Sequence, residues 1–161
     1  MSVLVTIVMW FAAITGVIFI SYTAYGLFAY FSGIPLDSLN IEVAEDNNGV
    51  AKLISGLLGG IVAIPGIIYV CVQLRRILST LAKGDPFVPE NAGRLTRIAM
   101  AILVMQVLKY VVVVCLGMIF SDAEVTLRLD LITWASVAAL FILAQVFREG
   151  TRLRDEEKMT I

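Results

Sequence analysis

Four apolar runs limit what this chain can fold into. They cover residues 3–31, 53–74, 98–120 and about 127–147, the last clearest in "LITWASVAALFILAQVF" at 131–147. About 20 consecutive apolar residues cross the hydrocarbon core of a bilayer as a helix, and each run reaches or approaches that length. A segment in lipid must satisfy its own backbone hydrogen bonds, so helices are expected and open sheets are not. The predicted fold class is therefore all-α, an integral membrane four-helix bundle forming one domain. Composition agrees: 60% of the 161 residues are hydrophobic and 16% are charged, against about 25% charged in soluble domains.

The first run would be roughly 43 Å long as a helix, more than a hydrocarbon core of about 30 Å. Its end carries Tyr22, Tyr25 and Tyr30, suited to an interfacial belt. No Lys or Arg precedes it, it is too long for the apolar part of a leader, and no small-x-small site follows, so a permanent span is expected.

Orientation follows from the basic residues. Arg75, Arg76, Lys83, Arg94 and Arg97 lie in the polar hairpin 75–97, and Arg148, Arg152, Arg154 and Lys158 in the tail 148–161. The opposite side has only Lys52 and Arg128. By the positive-inside rule the hairpin, the tail and both termini are cytoplasmic. The expected location is the cytoplasmic membrane, multi-pass, with membrane lipid as the surrounding partner; the family resemblance given below implies a bacterial one. The loop at 32–51 is then external and acidic, with Asp37, Glu42, Glu45 and Asp46. Its "EDNNG" lacks the twelve-residue spread and closing Glu of a calcium loop, and reads as a solvated turn.

Net charge is −1, which points away from direct nucleic-acid binding. The chain has no histidine, so it lacks the commonest general base and metal ligand. Cys71 and Cys115 sit in apolar runs, on the order of 20 Å apart in this layout. That is too far for a disulfide, and both read as small buried apolar residues. No nucleophile–base pair or metal cluster can be assembled. A non-enzymatic protein without a cofactor is expected.

Lys109 is the most costly residue, eleven positions from either end of the third run. A central lysine costs roughly 2.5–3.5 kcal/mol on the insertion scale, while each Leu, Ile, Phe or Val returns about 0.3–0.6. The run has thirteen such residues, so the helix still inserts. Pro65 cannot donate to the Ile61 carbonyl, which leaves that carbonyl as a partner at similar depth, and Gln106 lies one turn before Lys109. Lys109, Gln106 and Pro65 thus form a candidate intramembrane polar site for an ion or proton, or a charge switch. The alternative is a structural lysine tied to carbonyls and hydroxyls, or one reaching toward the surface. Small residues recur at four-residue spacing: Gly56 with Gly60, and Ser55, Gly59 and Ala63. Such faces allow close helix approach, within the bundle or in a homo-oligomer through Gly56 and Gly60.

The hairpin "RRILSTLAKGDPFVPENAGRLTR" has its own chemistry. Gly84, Asp85 and Pro86 predict a turn, and Pro89 suits the first position of a helix whose first turn holds Glu90. Phe87 is left free for the interface or a partner, and Gly150 offers a hinge between span and tail. A helix–helix connection needs only about 2–8 residues, whereas this stretch exceeds twenty. Hairpin and tail therefore form one candidate docking surface: Pro86, Phe87, Glu90, Asn91, Arg94, Arg148, Arg152 and Leu153. The alternative is that the basic groups only set orientation and the length is two protruding helix ends.

"KGDPFVPENAGRLTRIA" and "VFREGTRLRDEEKMTI" resemble the YoaS-like bacterial membrane proteins of unknown function. Gly84, Pro86, Phe87, Glu90, Asn91, Arg94 and Leu95 match the hairpin motif of that family. Phe147, Arg148, Gly150, Leu153, Glu156 and Thr160 match its terminal motif. The resemblance implies four spans and no established activity, and it suggests a cytoplasmic helix-turn-helix regulator as a partner. The function expected is an integral membrane protein of unknown biochemical activity, a non-enzymatic sensor or tether acting through hairpin and tail. The alternative is a small transporter or channel subunit with a midplane site at Lys109.

Overall fold

The computed structural model describes residues 2–34, 47–84, 87–120 and 130–159. These residues are all-helical, with four helices: α1 (Ser2–Phe31), α2 (Asn47–Ala82), α3 (Pro89–Ile119) and α4 (Leu131–Met159). Each is long and apolar enough to cross a membrane. Only 6–17% of each apolar window is buried inside the protein, so most apolar side chains point outward, as lipid permits and water would not. Cys115 is one of the outward ones; Cys71 is buried, and both thiols are free.

The ends of the helices follow local chemistry. Gly84 has φ +82°, the left-handed conformation that closes a helix, and its N–H bonds the Leu81 carbonyl at 3.0 Å. Pro89 opens α3, with Glu90 in its first turn. Several boundaries differ from the apolar runs. α2 begins six residues earlier and ends eight residues later than 53–74, because "NNGVAK" and "RRILSTLA" are polar and semipolar continuations of one helix. α4 is described from Leu131, with Asp130 as its cap, while residues 127–129 lie outside the described residues. The Thr133 N–H donates to Asp130 Oδ1 at 3.2 Å, and the Thr133 hydroxyl to Oδ2 at 2.6 Å.

The helix α4 also runs unbroken through Gly150 to Met159. The tail 148–161 is therefore a helical extension up to that point, and Gly150 is no hinge. The hairpin 75–97 is likewise mostly two helix ends, joined by residues 83–88. Its length no longer requires a functional explanation. The acidic residues Asp37, Glu42, Glu45 and Asp46, together with Pro86 and Thr160, lie outside the described residues.

The chain divides into two compact units. One comprises residues 1–10, 66–104 and 129–161. Its core is Ile77, Leu95, Ile98 and Ala144, flanked by Val70, Ile102, Leu140 and Phe147. The other comprises residues 11–65 and 105–128. There α1 lies close on α2: a Cβ at Gly56 would meet Thr23 at 3.2 Å, one at Gly60 would meet Ile20 at 3.0 Å, and Gly16 sits on Ile64. Gly56 and Gly60 thus serve contact with α1 inside one chain. Thr23, buried here, meets its own needs by donating to the Phe19 and Ile20 carbonyls.

Candidate functional site

In the hairpin unit the candidate docking residues fall into two groups. Asn91 is completely buried. Its side-chain amide donates to the Thr80 hydroxyl at 2.7 Å, and its Oδ1 accepts from Arg94 at 2.8 Å. Arg94 also donates to the Arg76 carbonyl at 3.3 Å. A polar network of this kind ties the end of α2 to the start of α3, with Asn91 itself out of reach of a partner. Leu95 points into the same core.

Phe87 is 39% exposed and at the same time packed against α4. Its ring lies 5.7 Å from that of Phe147, and a Cβ at position 150 would stand 2.7 Å from its Cε1. Gly150 is needed as the bare backbone against which this ring rests. The Phe87 carbonyl accepts from the Thr151 hydroxyl at 3.4 Å and from Arg154 at 3.3 Å. Hairpin and α4 therefore form one seam, in which Phe87, Asn91, Arg94, Leu95, Phe147 and Gly150 have structural work. Glu90, Arg148, Arg152 and Leu153 remain exposed, with Leu153 54% exposed. Arg152 is held along its own helix by Glu149 at 3.0 Å and Glu156 at 3.4 Å.

In the second unit α2 and α3 line an open-sided cavity of about 260 Å³. Ser55, Gly59 and Ala63 line it from α2, and Gln106, Lys109 and Val112 from α3. Lys109 and Gln106 are thus brought together as expected, while Pro65 is not among the lining residues. Gln106 is buried and its amide donates to the Tyr110 hydroxyl at 3.2 Å. Lys109 is exposed and has neither a hydrogen bond nor an ion pair among the described residues. The pairing with the Ile61 carbonyl is not made.

Sequence reasoning did not assign a role to Ser55 beyond helix packing, nor any role to Gln73. Gln73 is buried and its Oε1 has no hydrogen-bond partner among the described residues. A glutamine inside an apolar run was a visible signal, since an unpartnered buried amide is costly. Thr80, the acceptor for Asn91, carried no signal, because its partner is eleven residues away. Among the described residues no group of three His, Cys, Asp or Glu could hold a metal.

Four helices long and apolar enough to cross a membrane are the features of a multi-pass membrane protein. Residues 38–161 match the family described as protein of unknown function (DUF2975), and the chain belongs to that family. The match takes in α2, α3 and α4, with both parts of the seam. No curated protein and no solved structure matches the chain.

Proposed function

We propose that the protein is a non-enzymatic sensor or tether of the bacterial cytoplasmic membrane. In this reading the hairpin, the end of α4 and both termini are cytoplasmic. One observation carries the reading: Phe87 is held against Phe147, Gly150, Thr151 and Arg154. This fastening holds side by side the two elements that carry the basic residues. Glu90, Arg148, Arg152 and Leu153 are exposed on the elements that the seam joins, and in this reading they are the docking residues. The nine basic residues of hairpin and tail, against Lys52 and Arg128 on the opposite side and Lys109 within a span, support the orientation. The YoaS-like motifs support a helix-turn-helix regulator as the soluble partner. A transporter would call for a continuous polar path, and the cavity offers only Ser55, Gln106 and Lys109 among apolar residues.

Two measurements test this proposal. Reporter fusions at Asn47 should report an external location, and those after Arg94 and Ile161 a cytoplasmic one; an externally active fusion after Arg94 overturns the layout. Crosslinking in native membranes should recover a helix-turn-helix protein with the parent. Leu153→Glu, which changes an exposed side chain, should lower that recovery with insertion intact. Equal recovery by both chains means the surface is not the docking site.

A further inference from the structure

We propose that the cavity between α2 and α3 binds the carboxylate of a fatty acid, with Lys109 as its counter-charge. Its polar lining can donate at three points: the Lys109 ammonium, the Gln106 amide and the Ser55 hydroxyl. No carboxylate lines it. A lysine without an anionic partner in an apolar setting favours a ligand that supplies one, because pairing offsets the desolvation of both charges. The ligand must therefore be an acid.

It must also be a lipophile. Apart from those three groups the lining is apolar, with Leu58, Val62 and Val112 beside them, a surface suited to methylenes. Depth selects among lipid acids. Lys109 lies eleven residues from either end of the apolar run 98–120, roughly 16 Å along the helix. A phospholipid phosphate is anchored at the bilayer surface and does not reach that level. A fatty acid enters the hydrocarbon as the neutral acid, and its proton passes to the Lys109 amine, so that the bound pair is carboxylate and ammonium. Size agrees as well. An apolar cavity of about 150 Å³ holds one benzene, so 260 Å³ accommodates the acid group and the first several methylenes, with the rest of the chain in lipid.

Gly59 supplies an independent handle. A Cβ placed there meets nothing within 4 Å, so a larger side chain enters the cavity without disturbing a neighbour. Gln106 is already bonded to Tyr110, which fixes its position on the cavity wall.

The test uses the full chain in nanodiscs of zwitterionic lipid and a palmitic acid carrying a photoreactive diazirine. Photolysis followed by peptide mass spectrometry should place the label within residues 55–63 and 105–113. Palmitic acid should compete, and hexadecanol, which has the same chain and no acid, should not. Lys109→Met should reduce the labelling about tenfold or more, the scale of one charge-assisted hydrogen bond, while Lys109→Arg retains most of it. Gly59→Leu should abolish labelling by filling the space with the lysine still present. This second variant keeps the outcome decisive if Lys109→Met does not fold. Label spread over all four helices, competition by hexadecanol equal to that by palmitic acid, or full labelling of Gly59→Leu would each overturn the proposal.

Discussion

Asn91 and Lys109 are polar residues on the same helix, α3, and the two units treat them in opposite ways. Asn91 has no exposed surface and both ends of its side-chain amide are bonded. Lys109 is exposed, borders a cavity and has no partner among the described residues. A polar group whose hydrogen bonds are complete contributes to the architecture. One whose bonds are open is available for a ligand. The difference separates the parts of the molecule that hold shape from those that can act, and it reassigns most of the hairpin motif to the first class. Gln73 Oε1 is the exception in the hairpin unit.

The largest expected effect comes from breaking the closed network. Asn91→Ala leaves the Thr80–Arg94 connection without its central member and opens a void. Stability in detergent should fall by about 2–4 kcal/mol, measured by denaturant titration of the purified protein. An unchanged midpoint would mean that the network does not hold α2 to α3. Next is Gly150→Val, which drives a side chain into the Phe87 ring. The expected loss is about 1–3 kcal/mol, with faster tryptic cleavage at Lys83 as the seam loosens. If cleavage is no faster, the ring has another place to sit and the seam is not specific.

Two adjacent glycines sharpen the contrast in the other unit. Gly60 lies on Ile20, whereas Gly59 faces open space. Gly60→Val should cost about 1–2 kcal/mol, and Gly59→Val should stay within about 0.5 kcal/mol of the parent. Equal effects would show that the cavity wall is as tightly filled as the α1 contact. The smallest change is expected from Arg152→Ala. It removes two exposed ion pairs along one helix, worth no more than about 0.5 kcal/mol together.

The helices were legible because lipid imposes a simple rule: a run of apolar residues must become a helix of spanning length. Gly84 and Pro89 were legible for a similar reason, since the backbone geometry each prefers is a property of the residue itself. The start of α4 could have been read as well. Asp130 with Thr133 is a capping pattern, visible before any contact is known. Gly150 could not. Whether a glycine bends a helix or admits a neighbour depends on what lies beside it, and Phe87 is 63 positions away in sequence. The α2–α3 cavity was partly legible. Lys109 and Gln106 share one helix face, but the contribution of Ser55 depends on how two helices meet.

The unbroken course of α4 has a mechanical consequence. From Phe147 to Met159 the helix extends about 18 Å without a joint, and the hairpin is fastened to its first turns. A rigid arm magnifies angle into travel: a tilt of about 10° at Phe147 moves the far end of such an arm by about 3 Å. Because Phe87 rides on the same arm, hairpin and tail move as one lever, and a small rotation of the helix is carried outward without any part of it unfolding.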